Sequence, residues 1–182
     1  NNVEYTTNIQ RKCDCKNIPL LYASSSCIHA WHKSPYGISK KVNEQTAFKN
    51  QVGLRFTTVY GDGARDTMMI GKLVRNEAKY CTEHVRDFIH VSDVCDIIEM
   101  LMGMSPSEWD KAYDIGTGKG NNVNYLANDI CNRNLPIKQG DDCEAQDNTA
   151  DISLLNNIGW QGPKVNVVDY LKEAIKPTFG GW

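Results

Sequence analysis

Ile18-Pro19-Leu20-Leu21-Tyr22-Ala23-Ser24-Ser25-Ser26, followed after a short loop by Ser34-Pro35-Tyr36-Gly37-Ile38-Ser39-Lys40, is the stretch whose reading decides the fold. The apolar run 18–23 is short and is stopped by three serines, which reads as a buried strand. Ser34 is a good N-cap, and Pro35 suits the first helical turn, where its missing N–H is not needed. The stretch therefore predicts strand, loop and helix, with the helix running to about Lys49.

Outward from this centre the chain keeps alternating. Residues 3–16 carry the polar surface pattern of the end of a helix. Residues 52–59 are rich in β-formers and read as one strand, broken by Tyr60-Gly61-Asp62-Gly63. A helix is expected over 67–76. Phe88-Ile89-His90-Val91 reads as a strand, and Ser92 or Asp93 as the cap of the helix beyond it. A strand over 112–115 leads into Gly116-Thr117-Gly118-Lys119-Gly120, and 123–131 is helical by spacing. Leu154, Leu155 and Ile158 suggest a short helix ending at Gly159, and a last helix over 167–175 is ended by Pro177. Strands and helices in alternation define an α/β chain.

The 182 residues suffice for one domain. A net charge of −2 argues against nucleic acid as a partner, since such domains carry a basic stripe. The apolar stretches fall short of the roughly 20 residues that span a bilayer, so no membrane role is expected. The first residues, Asn1-Asn2-Val3-Glu4, show no signal-peptide core. The seven cysteines are odd in number and scattered, and Cys13-Asp14-Cys15 is too tight for a zinc knuckle. No metal site is expected, and reduced thiols point to the cytoplasm.

Tyr36 and Lys40 carry the chemistry. Residues four apart on a helix share a face. An ammonium beside a phenol favours the phenolate, and a phenol so assisted can take the proton of an alcohol. Ser25, at the mouth of the preceding strand, is placed to hold the same hydroxyl. An alcohol that loses its proton can pass a hydride to an adjacent nicotinamide, and that chemistry belongs to the cofactor. Against this stands the fact that Tyr-x-x-x-Lys also arises by chance on solvated helices.

The flanking motifs decide between the two. Leu21-Tyr22-Ala23-Ser24-Ser25-Ser26, Ser34 to Lys40, Gly53-Leu54-Arg55-Phe56-Thr57-Thr58-Val59-Tyr60-Gly61, Arg86-Asp87-Phe88-Ile89-His90-Val91-Ser92-Asp93-Val94, Tyr113-Asp114-Ile115-Gly116-Thr117-Gly118 and Ala150-Asp151 with Gly159-Trp160 follow in order. Together they resemble the extended short-chain dehydrogenase/reductase family, and within it the NAD-dependent nucleotide-sugar 4-epimerases acting on UDP-glucose or UDP-glucuronate. The resemblance implies a Rossmann-like parallel sheet, represented by its later strands only, followed by a C-terminal α/β region that binds substrate. Residues 1–62 would form the rear part of the NAD domain with the catalytic helix. Residues 63–182 would mainly bind the nucleotide sugar, with the segment near 84–100 returning to the NAD domain.

By the same resemblance Tyr36 is the base, Lys40 its partner and a contact of the NAD ribose, and Ser25 orients the hydroxyl. Thr58 would lie near nicotinamide and sugar, Ser26 and Arg65 near the sugar. Arg86 would meet the diphosphate as a planar bidentate donor; the alternative for Arg86 is a surface pair with Asp87 or Glu83. Lys138 stands where the family favours arginine, keeping the charge but losing the fork. Ser26 and Cys27 occupy positions where related dehydratases and decarboxylases carry acids, which favours epimerisation at C4 through a 4-keto sugar.

Two departures matter. No Gly-x-x-Gly-x-x-Gly turn, the family's pyrophosphate cradle, precedes Tyr36, and Gly116-x-Gly118-x-Gly120 lacks the second spacing and reads as an ordinary turn. Only ten residues separate Ser25 from Tyr36, where the family has a longer loop. The expected partners are therefore a UDP-sugar and either a second copy or a partner chain supplying the NAD-binding half. The alternative is a catalytically inactive homologue that binds UDP-sugar or serves as a structural subunit.

Overall fold

The computed structural model describes residues 2–175. The first helix, α1 (Asn2–Cys15), leads to β1 (Leu20–Ser25). A 3-10 segment, Ser26–Lys33, fills the short loop before α2 (Pro35–Gln45). The Ser34 side chain accepts from Gly37 N at 3.0 Å, so the cap expected from sequence forms. Gly37 is needed for contact: a Cβ there would lie 2.7 Å from the carbonyl oxygen of Trp31. The helix stops at Gln45 rather than near Lys49. The Thr46 hydroxyl is drawn to Gln10 Oε1 at 2.9 Å and back to its own helix at Val42 O, 3.1 Å.

The expected strand over 52–59 is two strands, β2 (Gln51–Phe56) and β3 (Thr58–Tyr60), that belong to different sheets. Thr57 is the break: its N–H and its hydroxyl both bond Ile115 O at 3.0 Å. Next come α3 (Met69–Val74), β4 (Val85–His90) and α4 (Val91–Met102). The helix expected over 67–76 is shortened, ending before Asn76, which takes a positive φ of 58°. His90, not Ser92 or Asp93, caps α4, accepting from Ser92 N at 3.2 Å. Asp93 is instead buried and accepts from Lys164 N at 2.9 Å. The chain closes with β5 (Ala112–Ile115), β6 (Gly120–Asn122), a π-helical turn over Tyr125–Ile130, α5 (Ser153–Asn157) and α6 (Val167–Ala174). The expected stop at Pro177 lies outside the described residues.

One sheet is fully parallel, in the order β1-β2-β5; the other runs β3-β4-β6, with β4 and β6 antiparallel. Parallel strands are commonly buried on both faces, and in β2 the first four of six residues, Gln51 to Leu54, are buried. β5, expected in the nucleotide-sugar-binding region, completes the first sheet, and β3, expected with the NAD-domain residues 1–62, opens the second. One apolar core joins Val52, Leu54, Ile97, Leu101 and Tyr113 under the first sheet. A second gathers Tyr60, Leu73, Phe88, Leu126 and Leu171.

An ion-pair network holds α2 on the first sheet. Arg55 of β2 grips Glu44 of α2 with both ends of its fork, at 2.9 and 2.8 Å, and Ser24 of β1 donates to the same carboxylate at 2.6 Å. Bidentate geometry fixes orientation as well as distance, so the face of α2 bearing Tyr36 and Lys40 is set by the strands that precede and follow it.

Candidate active site

A cavity of about 380 Å³ opens beyond the carboxyl ends of β1 and β2. This is where open α/β sheets generally take ligands. Ser25 and Ser26 line it from the end of β1, Tyr36 from α2, Thr58 from β3 and Arg86 from β4. Five residues singled out in the sequence thus meet in one place: Ser25 and Ser26 where β1 ends, Tyr36 in the first turn of α2, and Thr58 and Arg86 near the beginnings of β3 and β4.

Tyr36 is 45% exposed. The Lys40 ammonium lies 5.5 Å from the centre of its ring. Lys40 itself is buried and donates to Ala23 O of β1 at 2.8 Å. Burial pushes its pKa down. The strand carbonyl holds the ammonium in place beside the Tyr36 ring. The Ser25 oxygen accepts from Cys27 N at 3.2 Å, and its proton has no acceptor among the described residues. It is thus a donor available to the cavity. Thr58 receives a long hydrogen bond, 3.5 Å, from Asn148.

Two of the sequence candidates stand apart. Arg65 lines a neighbouring cavity of about 400 Å³, which shares Thr57 with the first. Lys138 lines neither; it is exposed, with its ammonium 4.6 Å over the Tyr80 ring. The wall facing α2 is built instead from Cys143, Glu144, Ala145 and Asn148, none of which the motifs singled out. The acidic run Asp141-Asp142-Cys143-Glu144 was the available signal, since an arginine facing a cavity needs a counter-charge.

That counter-charge is Glu144, which Arg86 Nη2 meets at 2.6 Å. Neither Asp87 nor Glu83 pairs with Arg86. Glu83 accepts from Asn122 and Asn124, each at 2.9 Å. Asp87 is fully buried and turned the other way. It accepts from Thr117 N, Thr117 Oγ1, Gly118 N and Ala150 N at 2.6 to 3.2 Å. The glycine-rich turn after β5 therefore spends its amides on an internal carboxylate.

A parallel sheet with helices packed on it and a Tyr–Lys helix beside its carboxyl edge defines a Rossmann-like α/β chain. The model of the NAD dependent epimerase/dehydratase family matches residues 1–116. The chain belongs to that family. It is similar to ADP-L-glycero-D-manno-heptose-6-epimerase of Fusobacterium nucleatum subsp. nucleatum, at 31% identity over 161 residues, covering 65% of this chain and 48% of the relative. The chain spans about half the length of the curated relatives it matches. Its fold is shared with MoeE5 in complex with UDP-glucose and NAD, with a TM-score of 0.81 at 24% identity over 96% of this chain and 69% of that one. It is also shared with the UDP-glucuronic acid 4-epimerase of Bacillus cereus in complex with UDP-glucuronic acid and NAD, with a TM-score of 0.78 at 21% identity over 96% and 66%.

Proposed function

We propose that this chain binds a UDP-sugar in the Tyr36 cavity and carries out the proton-transfer part of an NAD-dependent 4-epimerisation of a UDP-hexose or UDP-hexuronate. The observation that carries this reading is the meeting of Ser25, Tyr36, Thr58 and Arg86 in one cavity, with the Lys40 ammonium beside the phenol. The solved complexes of similar fold, which hold UDP-glucose or UDP-glucuronic acid together with NAD, support it. Tyr36 takes the proton of the sugar 4-hydroxyl, which Ser25 orients by a hydrogen bond. Ser26 and Thr58 line the sugar side, and Arg86 faces the diphosphate. Arg65, in the adjoining cavity, reads the far side of the ligand.

NAD, when bound, supplies hydride acceptance and return. The residues present fit its nicotinamide-ribose end, at Tyr36, Lys40 and Thr58. They do not fit its pyrophosphate: the amides of Thr117 and Gly118 in the glycine-rich turn are already committed to Asp87. Among the described residues β1 pairs with β2 alone, so its other edge is free to accept a strand. A further strand that carries a glycine-rich turn and pairs on that edge would complete the NAD site; a second copy of these residues would only cover the edge. The second reading is a UDP-sugar-binding or structural subunit without turnover.

Calorimetry with UDP-glucose, with and without NAD, separates the readings, followed by a turnover assay with both ligands present. Tyr36→Phe is expected to keep binding and to lose about 10²–10⁴-fold in turnover, the usual contribution of a positioned base. Unchanged turnover in Tyr36→Phe rules out the mechanism. UDP-glucose binding without turnover establishes the second reading.

A further inference from the structure

The turn 141–145 forms one wall of the Tyr36 cavity and has an unusual attachment. It is braced internally, Cys143 N donating to Asp141 Oδ1 at 3.0 Å and Glu144 N to Asp141 O at 3.0 Å. Among the described residues, its hydrogen bonds to the rest of the chain all run to Arg86. Both ends of the turn are fixed. Gly140 lies flat on the His84 imidazole, where any Cβ would collide with the ring. On the far side Val85 N donates to Gln146 O at 2.9 Å, and Asp87 N to Asn148 Oδ1 at 2.8 Å.

Arg86 is held independently of Glu144. Its Nη1 donates to Val85 O at 2.9 Å and to Ala145 O at 2.8 Å, so the guanidinium is set in place by backbone carbonyls. Nη2 points to Glu144 Oε2. The two partners differ in exposure: the Arg86 side chain is 14% exposed and that of Glu144 56%. His84 Nδ1 is 3.8 Å from the same carboxylate. Burial and then Arg86 hold the His84 pKa down, against the pull of Glu144, which disfavours a second cation beside that carboxylate. The fixed member of the pair is the cation, and the exchangeable member is the anion.

We infer that Glu144 is a built-in competitor for the anion position of Arg86 and thereby determines which ligands the cavity accepts. An incoming anion must take Nη2 from a carboxylate that is tethered beside it. A diphosphate brings more than one negative charge and several oxygens to a planar fork and displaces it. A singly charged group matches Glu144 in charge and lacks the advantage of the tether. The inference rests on the cavity being a UDP-sugar site, and it adds a specificity-determining residue to that site.

Glu144→Gln keeps the shape and one acceptor while removing the charge. In the full chain, calorimetry with UDP is expected to give a dissociation constant about fivefold lower for Glu144→Gln than for the unsubstituted chain, or about 1 kcal/mol, the upper range for a solvent-exposed pair. The gain should vanish when Arg86→Gln is combined with it, as a coupled pair requires. Equal or weaker UDP binding by Glu144→Gln, where the unsubstituted chain binds, overturns the inference. A second measurement needs no nucleotide: phenylglyoxal labelling of Arg86, followed by peptide mapping, should be faster in Glu144→Gln. Unchanged labelling overturns the inference whatever UDP does. Faster labelling with no UDP binding by any variant retains Glu144 as the competitor and removes the UDP-sugar reading.

Discussion

Replacing Asp87 with alanine takes one acceptor away from four donors: Thr117 N, Thr117 Oγ1, Gly118 N and Ala150 N. The hydroxyl can turn towards Lys119 O, which already lies at 3.4 Å. The three amides cannot turn, because β5, the glycine-rich turn and the Ala150 segment fix their directions. A buried donor left unsatisfied costs about 1–3 kcal/mol. Since Asp87 is fully buried, little water can substitute, and a loss of about 4 kcal/mol is expected. Against a total stability of about 5–15 kcal/mol, that is large for a residue that touches no ligand. In urea, with a slope of about 1–3 kcal/mol/M, the midpoint should fall by about 2 M with the slope unchanged. Asp87→Asn retains one carbonyl oxygen but turns an NH2 towards the same donors, and should fall about half as far. A midpoint shift below about 0.5 M for Asp87→Ala would falsify the account of Asp87 as the acceptor that holds the glycine-rich turn and the Ala150 segment to β4.

Two further expectations follow from single contacts. Gly37→Ala sets helix propensity, which favours alanine by about 1 kcal/mol, against a collision 2.7 Å from Trp31 O and 2.9 Å from Trp31 Cα, both backbone atoms. The collision should win and destabilise by about 1–3 kcal/mol; a variant that melts higher by circular dichroism shows that the contact is not tight. His29 Nε2 lies 3.0 Å from Asp114, and that hydrogen bond raises its pKa. A group raised on folding stabilises fully below its unfolded pKa of about 6.5 and loses that contribution as pH climbs through the higher folded value. With 55% of the side chain exposed, screening limits the effect to about 1 kcal/mol or less. His29→Gln should therefore lower Tm near about pH 6 and leave it unchanged near about pH 9; an equal drop at both pH values contradicts the pair.

The fold was legible wherever the signal was local. Ser34 and Pro35 mark the start of α2 because capping is a matter of adjacent residues, and the cap bond to Gly37 N is present. The break between β2 and β3 was not legible. β-forming side chains run without interruption through Thr57, and what divides them is which strand each half meets: β5 for one, β4 for the other. Asp93 illustrates the same limit. It has the chemistry of a helix cap, yet the arrival of Lys164 and Val165 N–H groups, some seventy residues on, claims its carboxylate.

By itself the sequence determined the alternation of strands and helices, the common face of Tyr36 and Lys40, and the order of motifs that goes with membership of the NAD dependent epimerase/dehydratase family. Each depends on residues a few positions apart, where helical and strand geometry turn spacing into direction. Only the tertiary structure decided that Ala23 O holds the Lys40 ammonium, that Asp87 consumes the amides of the glycine-rich turn, and that Arg86 faces Glu144 rather than Glu83. Those pairings join residues that are 17, 31 and 58 positions apart. A charge or a donor selects its partner by proximity and burial, and over such separations both are set by how the sheets pack.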